Sequence, residues 1–444
     1  WSGPDQEYIS DPVEFIINVK NSILLYGVKS DQVVLTADKE YLVSANLALV
    51  NDADYTIMPG TIIKVSDGVK ILIKDNAKLT ANGNNDSRII FQAENNDWSG
   101  IKSTSDNSVT FDYTEFRNVV QYQVQLFQGN SSSTISNSLF SDCFSFDGLS
   151  IGFNISDSNI IENNFANHIV ELFNNEVTNT IIANNGTSGL YGGVSVGAWN
   201  DFDFIDSNNL NILNNELNMN ASGGAFTIDI PSNIYLGSSI EEIIRIKLID
   251  FLVNINSQGI LNTDNVSESA IPSTKGIVWK VEVNGFDAQD EYALLDPIGV
   301  GPHEFKVYFN RAMDTSVNPQ VSYGVTIPYN QKIISETGTW STDGKIYTVT
   351  HDVNIGAADG INRIRVQDAQ DLDYFKIPIE DSRFNMLVQS AGSASAGWFA
   401  TAGLGKIALT WEAPSAEEID DALGYNMYRY QVDADGVESD PVKL

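Results

Sequence analysis

Short apolar runs, broken by Gly, Asn and Asp, set the texture of the first half of the chain. Residues 33–35, 41–43 and 47–50 are β-type runs in a mixed opening segment. From Thr56 the pattern becomes regular. Runs at 62–65, 71–73, 89–91, with Leu79 and Ile101, alternate with Asp67-Gly68, Asp75-Asn76, Asn82-Gly83 and Asn95-Asn96. Short strands at tight, even spacing predict an all-β repeat or barrel. An apolar residue with a second one five positions later then recurs, as Phe111/Phe116, Ile135/Phe140, Ile160/Phe165 and Ile212/Leu217. Ile181 follows Ile160, but Gly186 stands five positions on, so that copy is degenerate. A period in the low twenties without a helix pattern fits one coil of a β-solenoid. Stacked coils also align their polar turns, which favours Asn and Ser. The Asn doublets at 163–164, 174–175, 184–185, 208–209 and 214–215 fit that expectation. The Leu-x-x-Leu-x-Leu signature of a leucine-rich repeat is missing.

The texture changes twice more. Ser238-Ser239-Ile240-Glu241 reads as a capping box. Ile240, Ile243, Ile244, Leu248, Phe251 and Leu252 form one apolar helical face. Glu241 and Glu242 at its start, with Arg245 and Lys247 further on, suit the helix dipole. This helix is expected to cover the open end of the solenoid, which otherwise invites edge pairing. Residues 254–276 form a polar linker. Longer alternating runs at 277–283, 305–309, 346–349 and 361–366 then suit a β-sandwich. Residues 393–402, rich in Ser, Ala and Gly, form a second linker.

Particular motifs carry a resemblance to known families. Ile57-Met58-Pro59-Gly60-Thr61 with Ile63-Lys64, then Ala81-Asn82-Gly83, Ile89-Ile90-Phe91 and Trp98-Ser99-Gly100-Ile101, resemble the first coils of right-handed parallel β-helix proteins of the pectate-lyase-like superfamily. Tyr235-Leu236-Gly237-Ser238 resembles the closing segment of bacterial surface β-helix proteins, with Leu and Ser where Trp and Thr are usual. The stretch from His303 to Asp314, with Gly338-Thr339-Trp340-Ser341 and Asp343-Gly344-Lys345, resembles bacterial Ig-like domains of the S-layer type. Residues 407–414 and 424–429, with Trp411 and Tyr425, resemble the first half of a fibronectin type III domain, which in full needs about 100 residues. The resemblance implies a β-helix over 1–270, an Ig-like β-sandwich over 277–392 and a partial fibronectin type III sandwich over 403–444. The last would continue into, or be completed by, further polypeptide. The chain begins at Trp1 with neither Met nor a signal peptide, which reads as a mature or trimmed segment.

Composition narrows the function classes. The 58 acidic against 25 basic residues give a formal net charge of −33 and a pI near 4.2. Such a surface repels phosphate backbones and anionic lipid, which disfavours nucleic-acid partners and a peripheral membrane role. No apolar run approaches the ~18–20 residues of a membrane span. Hydrophobic residues, 42% of the chain, suffice for packed cores. The single cysteine, Cys143, excludes an intramolecular disulfide, and its Phe-rich surroundings predict a buried small hydrophobe rather than a nucleophile.

The chemistry is sparse. Residues 118–244 contain neither Lys nor Arg, and His168 is the one other cationic candidate there. Lyases of the resembled superfamily use Arg or Lys as base and to hold substrate carboxylates, so lyase chemistry does not fit the central coils. Asp201 and Asp203, at i and i+2, share one face of a strand, and Asp206 follows. Such a cluster suits the paired carboxylates of a glycosidase, a Ca2+ site, or a solvated outer face. Tyr191 and Trp199 nearby can stack on sugar rings. Asp368, Asp371 and Asp373 alternate in a loop that either holds Ca2+ or is plain turn. His168, His303 and His351 lack zinc-ligand spacing, and no Gly-x-Ser-x-Gly, Walker A or dinucleotide motif occurs.

The expectation is therefore a non-catalytic, secreted or cell-surface bacterial protein, adhesin-like, structural or glycan-contacting, within a larger assembly. Its partners would be cell-surface proteins or glycans. The alternative is an enzyme hydrolysing neutral glycans through Asp201, Asp203 or Asp206.

Overall fold

A computed structural model describes residues 22–104, 107–121, 127–128, 133–145, 149–151, 154–161, 164–165, 170–172, 177–185, 194–197, 209–213, 218–222, 226–255, 259–273, 275–289, 297–354, 359–389, 399–403, 406–410, 428–429 and 442–443. The chain is all-β, with parallel and antiparallel sheets and one short helix among the described residues. Every strand pairing from Ile23 to Asn262 is parallel, coil upon coil, an arrangement compatible with a β-helix.

Two columns of in-register residues form the core of this stack. One runs Leu35, Ile57, Ala81, Phe111, Ile135, Ile155, Val177. The other runs Tyr41, Ile63, Phe91, Phe116, Phe140, Ile160, Ile182, Ile212. All fifteen side chains are buried. Phe91, Phe116 and Phe140 stack at centroid separations of 5.6 and 4.8 Å, and Phe111 meets Phe116 edge-on. Such ring geometries follow the aromatic quadrupole.

The register corrects the predicted repeat after its second copy. Phe111/Phe116 and Ile135/Phe140 do sit in the two columns. The next pairs are Ile155/Ile160 and Val177/Ile182, so Ile160 belongs to the second column, not the first. Phe165 pairs with Ser145 in a separate three-stranded sheet, and Leu217 lies outside the described residues. The coils shorten from 24 residues (Phe111 to Ile135) to 20 (Ile135 to Ile155). A reading that keeps a fixed period therefore slips by one strand.

The polar turns stack as anticipated, but Ser and Thr carry most of the bonding. Thr114, Ser138, Ser158 and Thr180 form a fully buried hydroxyl column. Ser138 Oγ accepts from the Thr114 N–H, and Ser158 Oγ from the Ser138 N–H, both at 3.1 Å. Each of the four hydroxyls donates to the carbonyl two residues back. The residues just before them, Tyr113, Asn137, Asp157 and Asn179, all take positive φ, between 45° and 50°. Asn and Asp tolerate that left-handed region best among residues with side chains. Of the predicted Asn doublets, 208–209 contributes a ladder bond, Asn209 Nδ2 to Asn179 Oδ1 at 3.0 Å.

The helix is shorter than predicted, Glu241–Ile246, and no capping box closes it. Ser238 Oγ accepts from the Ile240 N–H instead. Ile243 and Ile244 are buried, but Leu248 belongs to a strand, Leu248–Ile249, paired with Met219 and Asn220. Phe251 and Leu252 are exposed. The cause is Asp250. Its buried carboxylate accepts from the N–H groups of Leu252, Val253 and Leu261 and from Arg245, so the chain turns where a longer helix would run. The stack continues beyond the helix through Ile260–Asn262, which pairs with Thr227–Asp229.

Residues 278–388 form two antiparallel sheets, one of five strands and one of four, enclosing a second core around Phe305, Phe309, Tyr323, Val349, Ile364 and Phe384. The expected middle hairpin is present: Thr339–Trp340 pairs with Thr348 and Tyr347, and Gly344 takes φ +67° in the turn. Further on, Phe399–Gly403 pairs antiparallel with Lys406–Thr410, and Tyr428–Arg429 with Val442–Lys443. Trp411 and Tyr425 lie outside the described residues. Among the described residues no helix is long and apolar enough to cross a membrane.

Candidate functional site

Tyr191, Trp199, Asp201, Asp203, Asp206 and His168 lie outside the described residues. The acids of the 368–373 loop are described, and they lie where the antiparallel sandwich meets the flank of the parallel stack. That seam holds the buried charged residues Glu115, Lys275, Asp371, Glu380 and Arg383.

Each of the three loop acids has a different partner set. Asp368 is half-buried and pairs with Lys376 at 2.8 Å. Asp371 is buried at 1% exposure. Its Oδ1 accepts from the N–H groups of Asp373 and Phe375 at 2.9 and 3.0 Å, and its Oδ2 from the Gly276 N–H at 3.4 Å. Asp373 receives Lys275 Nζ at 3.3 Å and Arg311 Nη1 at 3.6 Å. The loop that sequence pattern offered to Ca2+ thus spends its carboxylates on backbone amides and cations. Among the described residues no group of three His, Cys, Asp or Glu side chains is placed to hold a metal ion.

The surrounding groups come from both architectures. Arg88, on the stack, lays its guanidinium 3.3 Å from the centroid of the Phe375 ring. It donates to the Asp373 carbonyl at 2.6 Å and to the Asn137 carbonyl at 3.2 Å. Lys275, on the strap between the two architectures, reaches the same ring at 4.3 Å. Phe375 is therefore contacted by two cations in a desolvated setting, where cation–π attraction is strongest. Glu115 faces Arg88 at 3.7 Å and makes a very short contact with Arg117. Burial pushes the Lys275 ammonium below its ordinary range, opposed by Asp371 and Asp373. Burial likewise pushes the Asp371 carboxyl up, opposed by Lys275. Both shifts favour the uncharged form of the group, which is what desolvation does.

A second polar knot closes the other side of the seam. The Arg383 guanidinium is buried and donates to the Gly237 carbonyl at 2.9 Å, the Val278 carbonyl at 2.5 Å and the Glu380 carboxylate at 2.8 Å. The Tyr235 hydroxyl accepts from it at 3.4 Å, and Gln289 Nε2 donates to the Gly237 carbonyl at 2.7 Å. Burial works against the Arg383 charge, yet Glu380 and Tyr235 together outweigh it and the guanidinium is held above its ordinary range. Asn211 and Asn310 both donate to the Ile271 carbonyl, clamping the strap from either side. Beside the first knot a cleft of about 470 Å³ opens between Glu115, Ser141 and Asp142 of the stack and Asp368, Tyr374 and Lys376 of the sandwich.

Reading the sequence missed Lys275, Arg88, Arg311 and Arg383. A signal for them existed in the composition. With only 25 cations against 58 acids, each Lys or Arg is a scarce countercharge, and four of them gather at this seam. Cys143 behaves as anticipated: it is buried at 1% exposure, its thiol faces the Ser141 and Phe116 carbonyls, and burial pushes its pKa up to about 12. No protein-family model matches the chain, and no curated protein is similar to it in sequence.

Proposed function

We propose that this chain is a non-catalytic, secreted or cell-surface bacterial protein, adhesin-like or structural, that holds a stiff rod and a sandwich as one unit within a larger assembly. In this reading the rod is a right-handed parallel β-helix of the pectate-lyase-like superfamily. The sandwich is an Ig-like domain, and a partial fibronectin type III domain follows it. The partners are other surface proteins or glycans. The observation that supports it is the double polar knot at the seam. Modest, polar interfaces between domains of one chain permit motion by default, but here the polar groups that join the two parts include the buried cations Lys275 and Arg383. Removing one partner of such a set is costly, so the geometry favours a fixed angle over a hinge. The absence of Lys and Arg from residues 118–244 adds to the case against charged-substrate chemistry on the central coils.

The test is release of new reducing ends by the purified chain from a panel of neutral and acidic polysaccharides, with and without Ca2+. No release is expected. Release that disappears in Asp201→Ala or Asp203→Ala overturns the proposal in favour of a glycoside hydrolase.

A further inference from the structure

We propose that Lys275 and Asp373 condense into an intramolecular amide that ties the strap between the two architectures to the sandwich. Lys275 Nζ stands 3.3 Å from Asp373 Oδ2, and the lysine side chain has no exposed surface. The Phe375 ring, 4.3 Å from the amine, and Arg88 on the same ring cover the lysine side of the contact, while the Asp373 side chain keeps 23% of its surface exposed. Arg88 spends its short hydrogen bond on the Asp373 backbone carbonyl, which leaves the side-chain carboxyl to Lys275, Arg311 and, at 3.5 Å, Asn85. Arg311 Nη1 is buried, lies 3.6 Å from Asp373 Oδ2 and makes no hydrogen bond among the described residues. An unspent donor aimed at an acyl oxygen is what an oxyanion requires. Asp371 supplies a second buried carboxyl, fixed by three backbone N–H groups, one of them from the residue next to Lys275.

Nucleophile, acyl carbon, proton carrier and oxyanion donor are thus gathered at one site whose amine is fully buried, and a positioned pair reacts as if at very high local concentration. The directions in which burial moves Lys275 and Asp371 agree, towards free amine and protonated acid. The Lys275 ammonium passes one proton to Asp371, and the free amine attacks Cγ of Asp373, forming the C–N bond. The tetrahedral oxyanion faces Arg311. A second proton moves from nitrogen to one Asp373 oxygen, Asp371 returns its proton to the same oxygen, and the C–O bond breaks to release water. One ammonium and one carboxylate become one amide and one water, with no oxidant or cofactor. The link closes a loop spanning 98 sequence positions and would hold the seam under pulling force. It does not depend on the surface-protein reading above.

Intact mass spectrometry of the purified full chain, shown to be folded by a cooperative thermal transition, tests this directly. The expected result is a mass one water below that of the sequence. Fragmentation of a protease digest should join the Lys275 peptide to the Asp373 peptide. Lys275→Arg, which keeps the positive charge but does not condense, should return to its full sequence mass, as should Asp371→Asn if Asp371 carries the proton. A folded wild-type chain at full sequence mass overturns the proposal. So does a water deficit that maps elsewhere, such as to a succinimide at an Asp-Gly step.

Discussion

Cys143 shows how far burial alone sets the chemistry of a residue. Its thiol sits against two carbonyl oxygens inside the stack, and its pKa of about 12 leaves almost no thiolate at neutral pH. The native chain should therefore resist a thiol-directed reagent at pH 8, and denaturant should release one reactive thiol per chain. Fast labelling of the folded protein would contradict the buried placement. At the same scale, Asp371 and Asp373 show that the types and spacing of acids do not specify their ligands. Two carboxylates at i and i+2 can face a cation from solvent or the cations of the chain itself. Here Asp373 faces Lys275 and Arg311, and Asp371 faces backbone N–H groups.

Elements in the stack owe their shape to repetition in space rather than in sequence. The hydroxyl column Thr114, Ser138, Ser158, Thr180 provides acceptors for backbone N–H groups that lie between strands and would otherwise be unpaired in the interior. Ser138→Ala removes the acceptor of the Thr114 N–H and should cost about 1–3 kcal/mol. Urea unfolding measures it, and Ser138→Thr should recover most of the loss because Thr already fills two rungs of the column. An alanine variant as stable as the wild type would mean that water replaces the hydroxyl there. The truncated helix makes the same point from the other side. Its apolar periodicity extended to Leu252, but strand pairing at Leu248 and the Asp250 turn claimed the last residues.

For the whole molecule, the seam decides whether stack and sandwich behave as one body. Arg383 joins Gly237 of the stack, Val278 at the start of the sandwich and Glu380 within it. Arg383→Ala leaves the Glu380 carboxylate buried without its cation, which typically costs about 3–5 kcal/mol. Calorimetry should show the wild type unfolding stack and sandwich together, and the variant splitting that transition in two. An unsplit transition at an unchanged midpoint would remove the seam from the account of rigidity.

The all-β class, the coil-like period, the buried cysteine and the change of texture near residue 277 were all legible in the sequence. Each rests on local alternation or on composition, which neighbours along the chain carry by themselves. Phe111/Phe116 and Ile135/Phe140 were placed correctly for the same reason. What only the tertiary structure decided was register and partnership. The slip after Ile135 comes from a coil four residues shorter than the one before it, and strand alignment is set by stacking contacts that a fixed period does not encode. The seam is more distant still. Arg88, Lys275, Asp373 and Arg383 are scattered through the chain, and only the folded packing brings them within hydrogen-bonding reach. Desolvation then turns those few cations from surface charges into the joint of the molecule.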